Sequence, residues 1–258
     1  MTGDNNPQEF YDGFAEDYHL IYPDWQSSAR RQGGEVRDLI TAFKGSGAFS
    51  VLDCSCGIGT QAIGLALEGY RVHATDLSSR AVARAADSAA AMGAELTFGT
   101  ADFRHLDEQV DGTFDVVLSF DNSLAHLQTD DDLAQAFAAM KAKLEPDGLL
   151  LISLRDYGPL LKEKPEGSVP RVMELGGQKR IYFQTWQWHD DAPAYTTDFF
   201  VLKESSTGWE VSTGRTTLRA LEKETVLGLL KGAGFKDVAW LLPHESGYHQ
   251  PVVSARSL

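Results

Sequence analysis

One stretch, Ser50-Val51-Leu52-Asp53-Cys54-Ser55-Cys56-Gly57-Ile58-Gly59-Thr60, constrains this chain more than any other. An apolar run ends in a carboxylate, passes two glycines and enters a helical pattern. That order reads as a buried strand, a tight turn and a helix. Asp76 follows seventeen residues after Gly59, at the end of the next apolar run. Small residues in such a turn let a ligand approach the backbone, and a later carboxylate suits ribose hydroxyls. The layout is that of a nucleoside-binding site. The loop alone leaves the ligand open, because Gly57-Ile58-Gly59-Thr60-Gln61-Ala62 also satisfies the loose pattern of nicotinamide-binding domains.

The pattern then repeats. Strands are predicted at 49–54, 70–75, about 95–99, 114–120 and 149–154, with helices from 60 to 68, from Ser78 or Ser79 to 92, and along the Leu133, Phe137, Met140, Leu144 face. Phe114 to Phe120 is almost unbroken apolar sequence, as expected of a central parallel strand covered on both sides. Alternating strands and helices imply a parallel, doubly wound α/β sheet. Ahead of it, Phe10, Tyr11, Phe14 and Tyr18 share a helix face, and a second helix is predicted over about 27–43. After Tyr157 the pattern changes. Residues 158–170 read as loop, and antiparallel strands are predicted at 180–189, 195–203 and 209–218, forming an insertion over the site. A helix over about 222–232 and strands at 236–242 and 251–256 resume the core.

Composition narrows the partners. A net charge of -14 argues against non-specific binding to nucleic acid or an anionic membrane and suits a small or cationic partner. No run reaches the ~18 apolar residues a membrane span needs, and the polar first residues show no signal-peptide pattern, so a cytoplasmic location is expected. The two cysteines, Cys54 and Cys56, cannot complete a zinc set and read as small buried residues beside the loop. No metal site is predicted.

Further motifs lie where successive strands end, the place at which open α/β sheets bind ligands. Asp76-Leu77-Ser78 follows the second strand, and Ala101-Asp102-Phe103 the third, where a carboxylate beside an aromatic can hold the amino group and face of adenine. Ser119-Phe120-Asp121-Asn122-Ser123-Leu124-Ala125-His126 follows the fourth. With Leu154-Arg155-Asp156-Tyr157 after the fifth, the chain resembles the class I S-adenosylmethionine-dependent methyltransferases, and within them the glycine and glycine/sarcosine N-methyltransferases.

The resemblance implies a Rossmann-like, doubly wound, mostly parallel seven-stranded sheet with an antiparallel last strand. It divides the chain into an N-terminal helical lid (1–45), a cofactor-binding core (46–157), a β-rich cap (158–218) and a completion of the sheet (219–258). It implies S-adenosylmethionine as cofactor, with S-adenosylhomocysteine as product. Asp53, Cys54, Gly57 and Gly59 would form the cofactor loop, Asp76 and Leu77 the ribose site, and Asp102 and Phe103 the adenine site. Ser119, Ser123 and His126 would lie toward the methionine end. Arg31 matches an arginine that pairs with the cofactor carboxylate, with Arg30 as the alternative, and Tyr11 matches a tyrosine near the donor. Asn122 and Arg155 match residues that hold an amino-acid acceptor, the arginine through its carboxylate.

The chain also departs from the family. Ser153-Leu154 stands where Asp-His is usual, Asp156 replaces an Asn, and Asp121 replaces a frequent Gly. An added carboxylate there favours a more basic amine. The aromatic rings of Tyr18, Tyr22, Tyr157, Trp186 and Trp188 suit a sulfonium, and His249, before the last strand, is a candidate for contacting the acceptor or taking its proton. The expected reaction is methyl transfer to an amine of a small molecule, with O-methylation as the nearest alternative. A nicotinamide-dependent oxidoreductase and a non-catalytic S-adenosylmethionine-binding protein are the more distant ones. A homo-oligomer is compatible with the sequence.

Overall fold

The computed structural model describes residues 6–257. Residues 1–5 of the expected helical lid and Leu258 lie outside them. The first helix, α1 (Pro7–Phe14), starts where Asn6 Oδ1 accepts the backbone N–H of Gln8 and Glu9 and Pro7 fills the first turn. A 3₁₀ turn, Tyr18–Ile21, leads to α2 (Trp25–Lys44), which Asp24 caps and Gly45 ends at φ 80°. The core then alternates: β1 (Ser50–Asp53), α3 (Thr60–Leu67), β2 (Arg71–Asp76), α4 (Ser79–Met92), β3 (Thr97–Thr100), the short α5 (Leu106–Gln109), β4 (Phe114–Ser119), a 3₁₀ turn at Ser123–His126, α6 (Asp130–Ala142), β5 (Leu144–Ser153) and α7 (Tyr157–Glu163). The cap strands are β6 (Arg171–Leu175), β7 (Gln178–Trp188), β8 (Ala194–Ser205) and β9 (Gly208–Arg219). The chain returns through α8 (Lys223–Gly232), β10 (Lys236–Leu241), α9 (Pro243–Ser246) and β11 (Val252–Arg256).

Seven strands form one sheet in the order β10-β11-β5-β4-β1-β2-β3. All neighbours are parallel except β11, which runs antiparallel to both β5 and β10. The expected doubly wound sheet with one reversed strand is therefore present. Val51, Leu52, Val116, Val117, Leu118 and Leu149 to Ile152 are fully buried, because helices cover both faces. The strand order reverses between β1 and β4, so the loops after these strands diverge and open a crevice.

The cap is a separate four-stranded antiparallel sheet, β6-β7-β8-β9. Its inner face packs Met173, Tyr182, Phe199 and Val201 against Phe10 and Phe14 of α1. Gly214 permits this docking, since a Cβ there would stand 2.6 Å from the Phe10 ring. Two sequence expectations change. The stretch 158–170 was expected as loop, but its first half is helical: Asp156 accepts the Gly158 N–H, and Leu160 and Leu161 pack on the core. An additional strand, β6, pairs with β7 through the Gly176-Gly177 turn, both glycines having positive φ. Composition hid the helix, because Pro, Lys and Glu are frequent in 158–170 and its apolar contacts are with distant residues.

Candidate functional site

The crevice is a cavity of about 600 Å³, within the ~300–1,000 Å³ usual for small-molecule sites. Its floor is the loop between β1 and α3. Gly57 (φ 52°) and Gly59 (φ 88°) are in the left-handed region, and at Gly59 a Cβ would also press Ile63 at 2.8 Å. The Gly57 N–H donates to Asp76 Oδ2 at 2.8 Å, and the Ser78 N–H to Asp76 Oδ1 at 2.9 Å. The carboxylate that ends β2 thus braces the glycine loop while lining the cavity with Leu77. Burial raises its pKa, against the opposing pull of these backbone donors.

Asp102 and Phe103, after β3, line another wall. Arg104 holds Asp102 through contacts of 2.6–3.1 Å and reaches Asp132 at 3.0 Å. These pairings keep the Asp102 carboxyl below its ordinary range despite partial burial. Beyond β4, Asp121 (φ 55°) and Asn122 (φ 71°) are non-glycine residues in left-handed conformation, a cost of order 1–3 kcal/mol each that local contacts must offset. Asp121 Oδ1 lies 2.8 Å from the Tyr248 hydroxyl, and Oδ2 accepts from Gln61 at 2.9 Å. Gln32 completes the cluster, 2.8 Å from Gln61 Nε2 and 2.6 Å from the Tyr248 hydroxyl.

The cavity is roofed by the N-terminal segment. Tyr11 on α1 lies 3.0 Å from His126 Nε2, and Tyr18 and Tyr22 add two more rings. Burial raises the pKa of all three tyrosines and pushes His126 down to about 4, so its imidazole is neutral near pH 7. Asp12 accepts the Ser78 hydroxyl hydrogen at 2.6 Å, which ties this roof to the loop after β2.

The lining therefore includes Tyr11, Cys54, Gly57, Asp76, Leu77, Asp102, Phe103, Ser123 and His126, as expected from the sequence. Other expected residues stand behind the wall. Asp53 is 1% exposed, with Oδ2 lacking a donor, and its carboxyl is pushed up to about 7, chiefly by burial. Ser119 is buried with its hydroxyl 3.0 Å from that of Ser55. Gly59 shapes the turn and packs on Ile63 and Ala85. Asn122 is buried; its Oδ1 accepts the Arg155 N–H at 3.0 Å and its Nδ2 donates to Tyr157 at 2.8 Å. Arg155 donates to the Tyr195 hydroxyl at 2.7 Å and lies 5.1 Å from the Trp186 ring, and no acidic side chain pairs with it among the described residues. His249 is half exposed, its Nε2 3.6 Å from Asp121.

Arg31 is corrected. It is exposed, pairs with Glu35 at 2.6 Å and does not line the cavity; Arg30 is also exposed. The reason is the tight crossing of α2 and α3. A Cβ on Gly64 would stand 2.2 Å from the Ala29 carbonyl oxygen, so Ala29, Gln32 and Gly33 face inward and the arginines face out. Sequence reasoning missed Gln32, Gln61, Arg104, Asp132 and Tyr248. Arg104 was signalled by its position two residues after Asp102, whereas Tyr248 meets Gln61 across 187 positions and had no local signal.

Comparison with known proteins agrees with this architecture. A family model described as a methyltransferase domain matches residues 51–148. A glycine/sarcosine N-methyltransferase of Parasynechococcus marenigrum is 33% identical over 62% of this chain and 55% of its own length. That of Halorhodospira halochloris is 28% identical over 61% of this chain and 58% of its own. The alignments thus span little more than half of these two relatives. That of Aphanothece halophytica is 25% identical over 96% of this chain and 87% of its own length. Among solved structures, DesVI of Streptomyces venezuelae superposes with a TM-score of 0.80 at 18% identity, covering 95% of this chain and 98% of that one. An amino pentose methyltransferase of Micromonospora echinaspora, solved with S-adenosylmethionine bound, gives 0.75 at 19% identity over 90% and 92%. The chain has the fold of these methyltransferases, and its sequence resembles the glycine/sarcosine N-methyltransferases.

Proposed function

We propose that this chain is an S-adenosylmethionine-dependent methyltransferase that methylates the amine nitrogen of a small acceptor, an amino acid or a related metabolite. The observation that carries the reading is the cavity itself: a glycine loop braced by Asp76, continuous with Asp102 and Phe103 on one side and with Asp121, Ser123 and His126 on the other. Its charge fits a cationic donor. Asp76, Asp102, Asp121 and Asp132 line it against the single guanidinium of Arg104, among the described lining residues.

When bound, S-adenosylmethionine would supply a methyl group on a sulfonium, with the neutral thioether of S-adenosylhomocysteine as the leaving group. The protein's work is then to position, desolvate and manage one proton. Asp76 is suited to the ribose and Asp102 with Phe103 to the adenine, while Gly57 leaves open space beside the loop backbone. Tyr11, Tyr18 and Tyr22 offer ring faces and hydroxyls to a cation and, as a roof, keep water out. Asn122 holds the backbone N–H of Arg155 and thereby orients the segment that carries it. Arg155 has no acidic partner among the described residues but stands behind the cavity wall on the Tyr195 hydroxyl, so it would meet an acceptor carboxylate only by turning toward the cavity. His126, held neutral and weakly basic by burial, is suited to orienting Tyr11 rather than to removing a proton. Alignment of this kind can supply ~7–11 kcal/mol of the barrier.

A second reading concerns the acceptor alone. Tyrosine hydroxyls crowd the roof, which also suits a hydroxyl-bearing amine, and the amino pentose methyltransferase is a structural neighbour. The test is S-adenosylhomocysteine release, with product masses, from a panel of glycine, sarcosine, basic amino acids, amino sugars and phenols. N-methylated glycine or sarcosine supports the first reading, an amino sugar product the second, and turnover of phenols alone would replace N- with O-methylation. No product from any acceptor, despite donor binding, would count against catalysis.

A further inference from the structure

We infer that Asp121 holds the α-ammonium of the methyl donor, while no arginine or lysine of the described cavity lining pairs with the donor's carboxylate; this rests on the proposed reading of the cavity as an S-adenosylmethionine site. The sheet order sets the geometry, since the strands below the crevice run β4-β1-β2-β3. With adenine suited to the residues after β3 and ribose to Asp76 after β2, the amino-acid end of the donor falls over β1 and β4. Asp121 stands there, lining the cavity just after β4 and bonded to Gln61 in the first turn of α3. The arginine expected to take the donor carboxylate is missing from this end, because Arg31 faces out to Glu35. Arg104 stands at the adenine side, bound to Asp102 and Asp132.

Three buried neutral side chains build this corner. Gln32 of α2, Gln61 of α3 and Tyr248 ahead of β11 are 1%, 4% and 1% exposed. Gln61 and Tyr248 donate to Asp121 at 2.9 and 2.8 Å, and Gln32 Oε1 meets the same two groups at 2.8 and 2.6 Å. Burying such groups is costly unless each finds partners, and here the partners are one another and a carboxylate on the cavity wall. The cluster holds Asp121 at φ 55°, a conformation a residue with a Cβ keeps only when its surroundings fix it. The two donors fill two of the ~four lone-pair sites of the carboxylate. No lysine or arginine pairs with Asp121 among the described residues, and His249 Nε2 stands 3.6 Å away on a half-exposed ring. A primary ammonium, with three donors and a positive charge, completes both the hydrogen bonding and the charge. An acceptor ammonium offers the same chemistry. Asp121, however, is tied to α2 and α3 beside the glycine loop and not to the cap, so the donor is the nearer source.

The test is calorimetric binding to the full chain of S-adenosylhomocysteine and two analogues, the amine left by removing its carboxylate and the acid left by removing its amino group. The amine should bind within about threefold of S-adenosylhomocysteine, since an unpaired carboxylate contributes little. The acid should bind about 10- to 100-fold more weakly, the worth of a charge-assisted hydrogen bond. Asp121→Asn, which tolerates the same left-handed backbone, should weaken S-adenosylhomocysteine by a similar factor and leave the acid unchanged, the mark of a direct pairing. Binding of 5′-methylthioadenosine, which lacks the amino-acid end, should be the same in wild type and variant and shows that the site is folded. Arg31→Ala should leave S-adenosylhomocysteine affinity unchanged. An acid that binds as well as the amine overturns the inference, as does an Asp121→Asn variant with unaltered S-adenosylhomocysteine affinity. If that variant instead raises only the KM of the acceptor, Asp121 serves the acceptor's ammonium and the inference is overturned. Failure of the wild-type chain to bind S-adenosylhomocysteine at all removes the donor site itself, a result distinct from these.

Discussion

Asp53 makes the buried floor of the site sensitive to pH in a calculable way. Its carboxyl is raised from 3.8 to about 7 by burial, with Asp76 and Asp121 adding repulsion and the Ser55 N–H opposing. The folded chain therefore binds a proton that the unfolded chain releases near pH 4. This contribution costs nothing below the unfolded value, and stability falls as pH climbs toward about 7. At ~1.4 kcal/mol per pH unit the total is on the order of 4 kcal/mol, of which ~2.5 kcal/mol falls between about pH 5 and about pH 8. Asp53→Asn keeps the shape and removes the titration. Asp76 shifts in the same direction but is present in both proteins, so the difference between them isolates Asp53. Urea denaturation at the two pH values should show the variant gaining ~2.5 kcal/mol on the wild type as pH rises, equivalent to ~5–10 °C in melting temperature. Parallel stability curves would refute the reasoning and mean that water or a donor reaches Asp53 Oδ2.

The other expectations follow from the same contacts. Asp76→Ala removes the acceptor for the Gly57 and Ser78 N–H groups and should weaken S-adenosylhomocysteine binding by about tenfold or more in calorimetry; unchanged affinity would remove Asp76 from the donor site. Gly64→Ala places a methyl 2.2 Å from the Ala29 carbonyl oxygen and 2.7 Å from Gly33 Cα, backbone atoms that cannot rotate away. It should cost ~1–3 kcal/mol or more in urea melts, and an unaffected midpoint would mean that α2 and α3 part easily. His126, lowered to about 4 by burial, should show no imidazole titration by NMR above about pH 5.5, and its contribution to stability should grow as pH rises from about 4 to about 6.5. Titration near 6.5 would place it in water.

What the sequence determined by itself is local in character. The strand, glycine turn and helix at 50–60, the carboxylate at 76, the polar motifs after the third and fourth strands and the aromatic face of α1 are set by neighbours in the chain and by the periods of strand and helix. These placed Gly57, Asp76, Asp102, Phe103, Ser123, His126 and Tyr11 on one cavity. Tertiary structure decided the rest. Whether Arg31 or Gln32 faces inward is a difference of one residue, about 100° around a helix, and it was settled by the contact of Gly64 with Gly33 and Ala29. The first half of 158–170 became α7 because Leu160 and Leu161 found the core. Asp121 is held by Gln61 and Tyr248, from opposite ends of the chain, and Asn122 and Arg155 were drawn behind the wall by Tyr157 and Tyr195. Periodicity reports which residues share a face; only packing between distant segments decides what that face meets.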